Sequence, residues 1–294
     1  MRPLFKILSL GLAFVVFAGD ADARRHHRTH GTARSAPTTD SAADKRDNNT
    51  LCNGGMMITS DDQIKGCSAL IKAGLSRERR AVALYNRGNA YVGKNDFARA
   101  IQDYSEALTL KSDYAQALFN RAVAYRISGN PQLAVTDYTA ALAYMPNDAD
   151  ALAGRGSSYV RLGKHDKALE DFNKALSIQP GNLTALTQRG HAYVRLQQWA
   201  SAIADYDAAL SISAATVEAL YGRGVAKVYA GDVGGGQIDM TSALTVDSSV
   251  TGRMTAQGIP PPQIKSTAPQ QPMPAIVRKP APSADSEQTA EPKP

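Results

Sequence analysis

Five tandem copies of a 34-residue pattern follow one another without a gap, and together they cover more than half of the chain. The units begin at residues 81, 115, 149, 183 and 217, and the third reads ADALAGRGSSYVRLGKHDKALEDFNKALSIQPGN. A fixed period of this size is typical of helical solenoids, in which each unit buries its apolar face only against its neighbours. The sequence therefore predicts an all-α solenoid.

Within a unit, small and large residues recur at helical spacing. In the third unit, Leu152, Gly156 and Tyr159 lie on one stripe of the first helix. Glycine in a helix interior costs ~1 kcal/mol relative to alanine, so its repeated use at this position indicates close approach of a second helix. Phe172, flanked by alanines, is the large residue that fills the space. Two antiparallel helices are expected to interlock in every unit.

This small-large-small spacing, present five times in register, resembles the tetratricopeptide repeat (TPR) family. The resemblance covers about 170 of the 294 residues and implies a right-handed α-solenoid of helix-turn-helix units. The fifth unit is degenerate, because Lys227 replaces a tyrosine and Met240 replaces an aromatic residue, and we expect it to be the least stable. The units are 81–114, 115–148, 149–182, 183–216 and 217–250.

Position 7 of every unit departs from the family pattern, since it is arginine where the family commonly has leucine. Position 23 is aspartate in every unit, and both positions should face inward, which predicts a partly buried, bidentate ion pair. An arginine ladder that binds an acidic ligand is the alternative, but a charge matched in every unit favours a structural role. The predicted pairs are Arg87 with Asp103, Arg121 with Asp137, Arg155 with Asp171, Arg189 with Asp205, and Arg223 with Asp239.

The first 23 residues have the features of a secretory signal peptide. Arg2 and Lys6 precede an apolar run from residue 7 to residue 18, and small residues end the segment at Ala23. The run is too short for a permanent transmembrane helix. Residues 1–23 therefore predict a periplasmic or secreted protein.

The leader 24–50 is polar, basic and poor in large apolar residues, which predicts disorder. Three readings of it stay open: His26, His27 and His30 could bind a metal ion weakly, the basic residues could contact a membrane or cell-wall surface, or the segment is a solvated spacer. The spacer is the simplest reading.

Cys52 and Cys67 are the only cysteines, and an exported chain meets oxidising conditions. We expect them to form a structural disulfide; two buried free thiols are the alternative, and the spacing does not fit a redox pair. A helix that begins near Ser60 and stops at Gly74 should make residues 51–76 an N-terminal half-repeat cap, with the disulfide holding the loose strand before it.

Residues 251–294 are rich in proline, with ten of the fifteen prolines in the last 35 positions. Such a segment cannot build a core and is expected to be a disordered tail, although residues 251–258 could add a final half-turn of cap before it.

The TPR resemblance implies a concave face lined by positions 2, 5, 6, 9, 12 and 13 of the first helices. Amide side chains there can bond an extended peptide backbone, and aromatic side chains can anchor it. The candidate partner-binding residues are Tyr85, Asn86, Asn89, Phe119, Asn120, Arg126, Arg161, Gln188, His191 and Arg195.

These observations favour an exported, non-enzymatic scaffold that binds an unidentified protein or peptide. The sequence has no His-Glu-x-x-His, Gly-x-Ser-x-Gly or phosphate-binding motif, so we expect no catalytic, cofactor or metal site. It has 33 Lys and Arg against 27 Asp and Glu without a basic stripe among aromatic residues, which disfavours nucleic acid. A structural or assembly factor of the cell envelope, which self-associates or is tethered through its tails, is the alternative; the sequence leaves the oligomeric state open.

Overall fold

A computed structural model describes residues 47–55 and 57–263 of the chain. The predicted signal peptide, the leader up to residue 46 and the tail from residue 264 lie outside the described residues. The described part contains α-helices and no strand, and consecutive helices pack on one another. The prediction of an all-α solenoid is confirmed.

Five helix pairs correspond to the five repeat units. The pairs are α3 and α4, α5 and α6, α7 and α8, α9 and α10, and α11 and α12; α1 and α2 precede them and α13 follows. The helices span Asn48–Asn53, Ser60–Lys72, Arg77–Gly93, Phe97–Leu110, Ala115–Ile127, Pro131–Tyr144, Ala149–Arg161, His165–Ile178, Leu183–Arg195, Trp199–Ile212, Val217–Tyr229, Val233–Val246 and Val250–Ala256. None of them is long and apolar enough to cross a membrane.

The glycine at position 8 brings the two helices of a unit together, as the sequence predicts. A Cβ atom on Gly156 would lie 2.7 Å from Cε1 of Phe172, and one on Gly190 would lie 2.7 Å from Cε1 of Tyr206. Both aromatic side chains are fully buried. Because protein interiors are close-packed, the ring occupies the space that a side chain at position 8 would need.

Side-chain caps and tight turns set the helix ends. Asp148 Oδ1 accepts a hydrogen bond from Ala151 N at 2.9 Å, and Asn182 Oδ1 accepts one from Ala185 N at 2.9 Å, so both residues cap the first helix of a unit. Gly163, at a φ of 70°, turns the chain between α7 and α8. The array therefore keeps one register from unit to unit.

The N-terminal cap differs from the prediction, because a helix replaces the expected loose strand. Helix α1 begins within the predicted disordered leader, and Asp47 caps it by accepting a bond from Thr50 N at 2.7 Å. It crosses α2 at Gly66, where a Cβ atom would lie 2.5 Å from Cβ of Leu51. The cap is a short helix pair. Six residues are too few to show a helical period in sequence, which is why the prediction missed it.

The C-terminal boundary also differs from the prediction. Helix α12 runs without interruption through the three glycines at 234–236, and α13 occupies the start of the predicted tail. Val250, Met254 and Ile259 are fully buried. Residues 250–259 are thus part of the folded array, and residues 264–294 of the predicted tail lie outside the described residues.

Candidate partner-binding surface

The five position-7 arginines are engaged inside the array. Arg87, for example, donates from Nε to Asp103 Oδ2 at 2.8 Å and from Nη2 to Asp103 Oδ1 at 2.7 Å. The hydrogen bond to Asp103 raises the pKa of Arg87. The structure brings together all five pairs that the sequence predicts, each by two parallel bonds: Arg87 and Asp103, Arg121 and Asp137, Arg155 and Asp171, Arg189 and Asp205, and Arg223 and Asp239.

The remaining Nη1 of each arginine bonds the preceding unit or cap. Arg121 donates to Ser105 Oγ at 2.9 Å, and Arg223 donates to Asp207 Oδ1 at 2.8 Å; in both cases the acceptor is at position 25 of the unit before. The other acceptors are Ser68 in α2, Thr139 and Asn173. Each arginine therefore ties its own helix pair to the unit or cap before it, which accounts for its charge without a ligand.

The first helices α3, α5, α7 and α9 carry the candidate partner-binding residues, and we call the surface that they share with α11 the first-helix face. At its N-terminal end, Asn89 Oδ1 accepts bonds from Tyr104 Oη at 2.7 Å and from Asn120 Nδ2 at 2.8 Å. Asn120 Nδ2 also donates to Tyr85 Oη at 3.1 Å. This network joins units 1 and 2 and fixes the orientation of Tyr85. Burial raises the pKa of Tyr104, so its phenol stays a hydrogen-bond donor.

Aromatic packing around this network leaves the rings of Tyr85 and Phe119 partly accessible. The Tyr85 ring lies 4.9 Å from that of Tyr114, and the Phe119 ring lies 5.7 Å from that of Tyr138 in an edge-to-face arrangement. Tyr85, Phe119 and the neighbouring Asn86 are half-buried. The surface thus offers rigid aromatic edges beside an amide.

An open cleft of about 520 Å³ lies next to Asn86, between α1, α2 and α3. Asn49 and Asn53 project from α1, and Val82, which is 44% exposed, comes from α3. The other lining residues are Cys52, Leu70, Leu75, Glu78, Arg79 and Ala83. A cleft with an apolar floor and several convergent polar groups is the usual form of a ligand site.

Cys52 forms part of the wall of this cleft. Its Sγ lies 2.08 Å from Sγ of Cys67, the distance of a disulfide, and both residues are buried. Gln63 Nε2 also donates to the carbonyl oxygen of Cys52 at 3.2 Å. The cysteine pair and this bond hold α1 against α2.

Of the three candidate arginines, Arg161 and Arg195 donate side-chain hydrogen bonds to the C-terminal ends of neighbouring first helices, and Arg126 provides one of the acceptor carbonyl groups. Arg161 Nη1 donates to the carbonyl oxygen of Arg126 at 2.7 Å, and Arg195 Nη1 donates to the carbonyl oxygen of Val160 at 3.3 Å. Each bond links one first helix to the C-terminal end of the one before it, where carbonyl groups lack helical partners. Arg195 Nε donates further to the carbonyl oxygen of Gln257 at 3.0 Å.

Two candidate residues are inaccessible. His191 is 1% exposed and Asn120 is 7% exposed, so the prediction that they present side chains to a partner is wrong for this arrangement. Asn120 is buried because its amide joins units 1 and 2, and His191 is buried against Tyr206, with ring centroids 5.8 Å apart. Burial and the charge of Arg195 lower the pKa of His191 to about 4. Gln188 stays half-buried.

Models of known protein families match most of the repeat region. Those described as "Tetratricopeptide repeat" match residues 149–182 and 115–148, and one described as "TPR repeat" matches residues 88–129 and 190–228. The chain belongs to the tetratricopeptide repeat family. This confirms the resemblance that the spacing indicates. No curated protein matches the chain.

Solved TPR structures share the fold at low sequence identity. YrrB, described as "a TPR protein with an unusual peptide-binding site", is 19% identical over 66% of this chain and 99% of its own, with a TM-score of 0.50. A TPR protein from Parabacteroides merdae is 19% identical over 68% and 80%, with a TM-score of 0.57. The APC/C hetero-tetramer Cut9-Hcn1 is 15% identical over 69% and 42%, with a TM-score of 0.57. At these identities, the comparisons show the fold alone.

Sequence reasoning missed the contacts that cross between units. The amide of Asn120 could have been paired with Asn89, because the two residues lie 31 positions apart in adjacent first helices. The residue at position 25 is polar in all five units, and this recurrence could have indicated a contact between units. No sequence signal indicated the bond between Arg195 and Gln257, since it lies outside the repeat.

Proposed function

We propose that this TPR protein is an exported, non-enzymatic scaffold that binds an extended peptide or a segment of a partner protein on the first-helix face of units 1 and 2. The observation that carries the proposal is the half-buried row of Tyr85, Asn86 and Phe119 beside the open cleft. At position 5 of units 3, 4 and 5, the equivalent residues Ala153, Thr187 and Tyr221 are buried. The N-terminal half is therefore the accessible part.

The chemistry of this half suits a peptide. Amide side chains can both donate to and accept from a peptide backbone, and Asn49, Asn53 and Asn86 surround one cleft. Tyr85 and Phe119 are held by neighbouring rings, so a ligand would lose little side-chain entropy on docking against them.

The cap contributes directly to this surface. Because α1 provides one wall of the cleft and is held to α2 by the cysteine pair, the proposed site depends on an oxidised cap. A disulfide persists in an oxidising compartment, which agrees with the signal peptide expected at 1–23. Fractionation of cells that carry the tagged full chain should place the protein in the periplasm or the medium; recovery with the cytosol contradicts export.

Two similarly exposed aliphatic residues, one in the cleft and one outside it, make a matched test. Val82 is 44% exposed in the cleft, and Leu133 is 48% exposed on α6. A photo-crosslinking residue at position 86 of the full chain should form protein adducts in cells. Val82→Glu should abolish those adducts, because it places a charge on the apolar floor, whereas Leu133→Glu should leave them unchanged. Equal adducts in all three proteins contradict the proposed surface.

A further inference from the structure

The segment that follows α13 packs against the C-terminal half of the first-helix face. After α13 ends at Ala256, Gly258 turns the backbone with a φ of 78°, and Ile259 is fully buried. Met254 and Ile259 belong to the same apolar cluster as Tyr221 and Val225 of α11. Residues 254–259 therefore pack against unit 5.

Arg195 of α9 fastens this segment to unit 4. Its Nε donates to the carbonyl oxygen of Gln257 at 3.0 Å. A Cβ atom on Gly258 would lie 2.2 Å from Nη2 of Arg195, so only glycine permits the guanidinium to lie this close. A second attachment is the ion pair between Arg253 and Glu218, at 2.9 Å. We call residues 257–259 the latch.

Positions 5 and 9 of the first helices are half-buried in units 1 and 2 and buried in units 3, 4 and 5. At position 5, Tyr85 and Phe119 are half-buried in units 1 and 2, while Thr187 and Tyr221 are 7% and 1% exposed in units 4 and 5. Position 9 follows the same trend, from half-buried Asn89 to buried His191. In unit 5 the buried Tyr221 and Val225 belong to one apolar cluster with Ile259, so the latch covers this part of the face.

Among the described residues, unit 4 buries several polar atoms that have no hydrogen-bond partner. Thr187 Oγ1, both ring nitrogens of His191 and Tyr206 Oη are buried and have no hydrogen-bond partner within residues 47–55 and 57–263. In unit 1 the counterpart of His191 is Asn89, which accepts two bonds. Unpaired buried polar groups disfavour the closed arrangement.

The same surface carries Arg195, whose guanidinium has no carboxylate partner in the described part of the chain. Thr187, His191 and Arg195 follow one another at intervals of four along α9 and so share one of its faces. The side-chain bonds of Arg195 in the described part of the chain go to two backbone carbonyl groups, whereas every position-7 arginine has an aspartate. Withdrawal of the latch would free Nε and Nη2, the edge of a guanidinium that binds a carboxylate bidentately.

We propose that residues 257–259 close, in cis, a second binding site on units 4 and 5, and that the open site binds an acidic segment of a partner protein through Arg195. Thr187, His191 and Tyr206 would then bond polar groups of that segment. The inference rests on the proposed function, because it gives the first-helix face a further site, its ligand chemistry and its closure.

Two glycines of the same segment give a matched test in the full chain. Gly258→Ala strains a left-handed position and pushes Arg195 away from Gln257, so it should open the latch. Gly252→Ala is the control, since a Cβ atom on that exposed helical residue meets nothing within 4 Å. The probe is a fluorescent, end-capped hexaglutamate peptide, and its binding is measured by anisotropy. Only molecules with an open site can bind, so the apparent affinity is the intrinsic affinity multiplied by the open fraction. The Gly258→Ala protein should therefore bind the peptide about tenfold more tightly than wild type or the Gly252→Ala protein.

Arg195→Gln in the Gly258→Ala protein should remove that gain, and a hexaglutamine peptide should show none. Ile259→Ser opens the latch by a different change and should match Gly258→Ala, and helix content by circular dichroism should be equal in all variants. Equal binding in wild type and both opened variants overturns the inference, as does binding that is indifferent to Arg195 or to glutamate. Loss of crosslinking at position 86 in Val82→Glu, combined with equal hexaglutamate binding, would keep the proposed function and reject the latch.

Discussion

Arg155 and Asp171 meet side by side, with Nε 2.9 Å from Oδ2 and Nη2 2.7 Å from Oδ1, while Nη1 of the same arginine reaches Thr139 Oγ1 of the preceding unit at 3.3 Å. One side chain thus joins the two helices of unit 3 and links them to unit 2. Asp171 is buried, and the arginine is mostly buried. A TPR array normally closes this position with an apolar residue; here a charge pair does so, at the cost of desolvating both groups.

Replacing one member of the Arg155–Asp171 pair should destabilise the protein far more than replacing both. We expect Arg155→Leu to lower the free energy of unfolding by ~3 to 5 kcal/mol, because it strands the buried carboxylate of Asp171. Urea titration followed by circular dichroism measures the change, and the double variant with Asp171→Leu should recover most of it. Lys94→Ala breaks the exposed pair with Asp61 and is the control, with an expected change below ~1 kcal/mol. A similar small change for Arg155→Leu would contradict the buried pair.

The cysteine pair should carry much of the stability of the cap. Fifteen positions separate Cys52 and Cys67, and closing a loop of that length is worth ~3 kcal/mol by chain entropy. Thiol titration of the denatured, non-reduced protein should find no free thiol. The Cys52→Ser/Cys67→Ser protein should melt earlier at its N-terminal end, and reductant should lower the melting temperature of wild type but not of this variant. Two titratable thiols in wild type would contradict the disulfide.

Two glycines in α12 should respond in opposite directions to alanine. Gly234 is exposed and a Cβ atom there meets nothing, so Gly234→Ala should stabilise unit 5 by ~0.5 to 1 kcal/mol through helix propensity. Gly236 approaches α11 so closely that a Cβ atom would lie 2.6 Å from the carbonyl oxygen of Gly224, and Gly236→Ala should destabilise by ~1 to 3 kcal/mol. Thermal melts of the two proteins check the pair. Two shifts of the same sign would contradict the helix-helix contact.

The repeat made the fold predictable because the same apolar and small residues return at the same positions. Gly156 predicted a close helix contact, and Phe172 provides it. Fifth-unit substitutions were harder to interpret. Lys227 was expected to weaken the unit, yet its Nζ lies 3.0 Å from Asp239 Oδ2 and gives that carboxylate a second cation. Burial alone would raise the pKa of Asp239, but the bonds from Arg223 and Lys227 lower it.

The candidate surface was less predictable, because accessibility depends on what packs from outside the repeat. Position 9 is half-buried at Asn89 and buried at His191, and the repeat pattern is the same at both. In unit 5, Tyr221 and Val225 are buried in one cluster with Met254 and Ile259, which were expected to belong to the tail. Asn120 was assigned to a partner, since a sequence cannot show that its amide already has acceptors in the neighbouring unit.

His191 should make the stability of unit 4 depend on pH. Its folded pKa is lowered to about 4 from 6.5 by burial and by Arg195, and Tyr206 and Thr187 offer it no bond. The unfolded chain takes up a proton first, so stability is complete above pH 6.5 and falls as pH drops to about 4, by about 3 kcal/mol at ~1.4 kcal/mol per unit. Urea titrations across this range measure the slope. His191→Asn should flatten it and add stability, because Tyr206 could then donate to the amide as Tyr104 does to Asn89. An unchanged slope in that variant would show that His191 titrates outside the core.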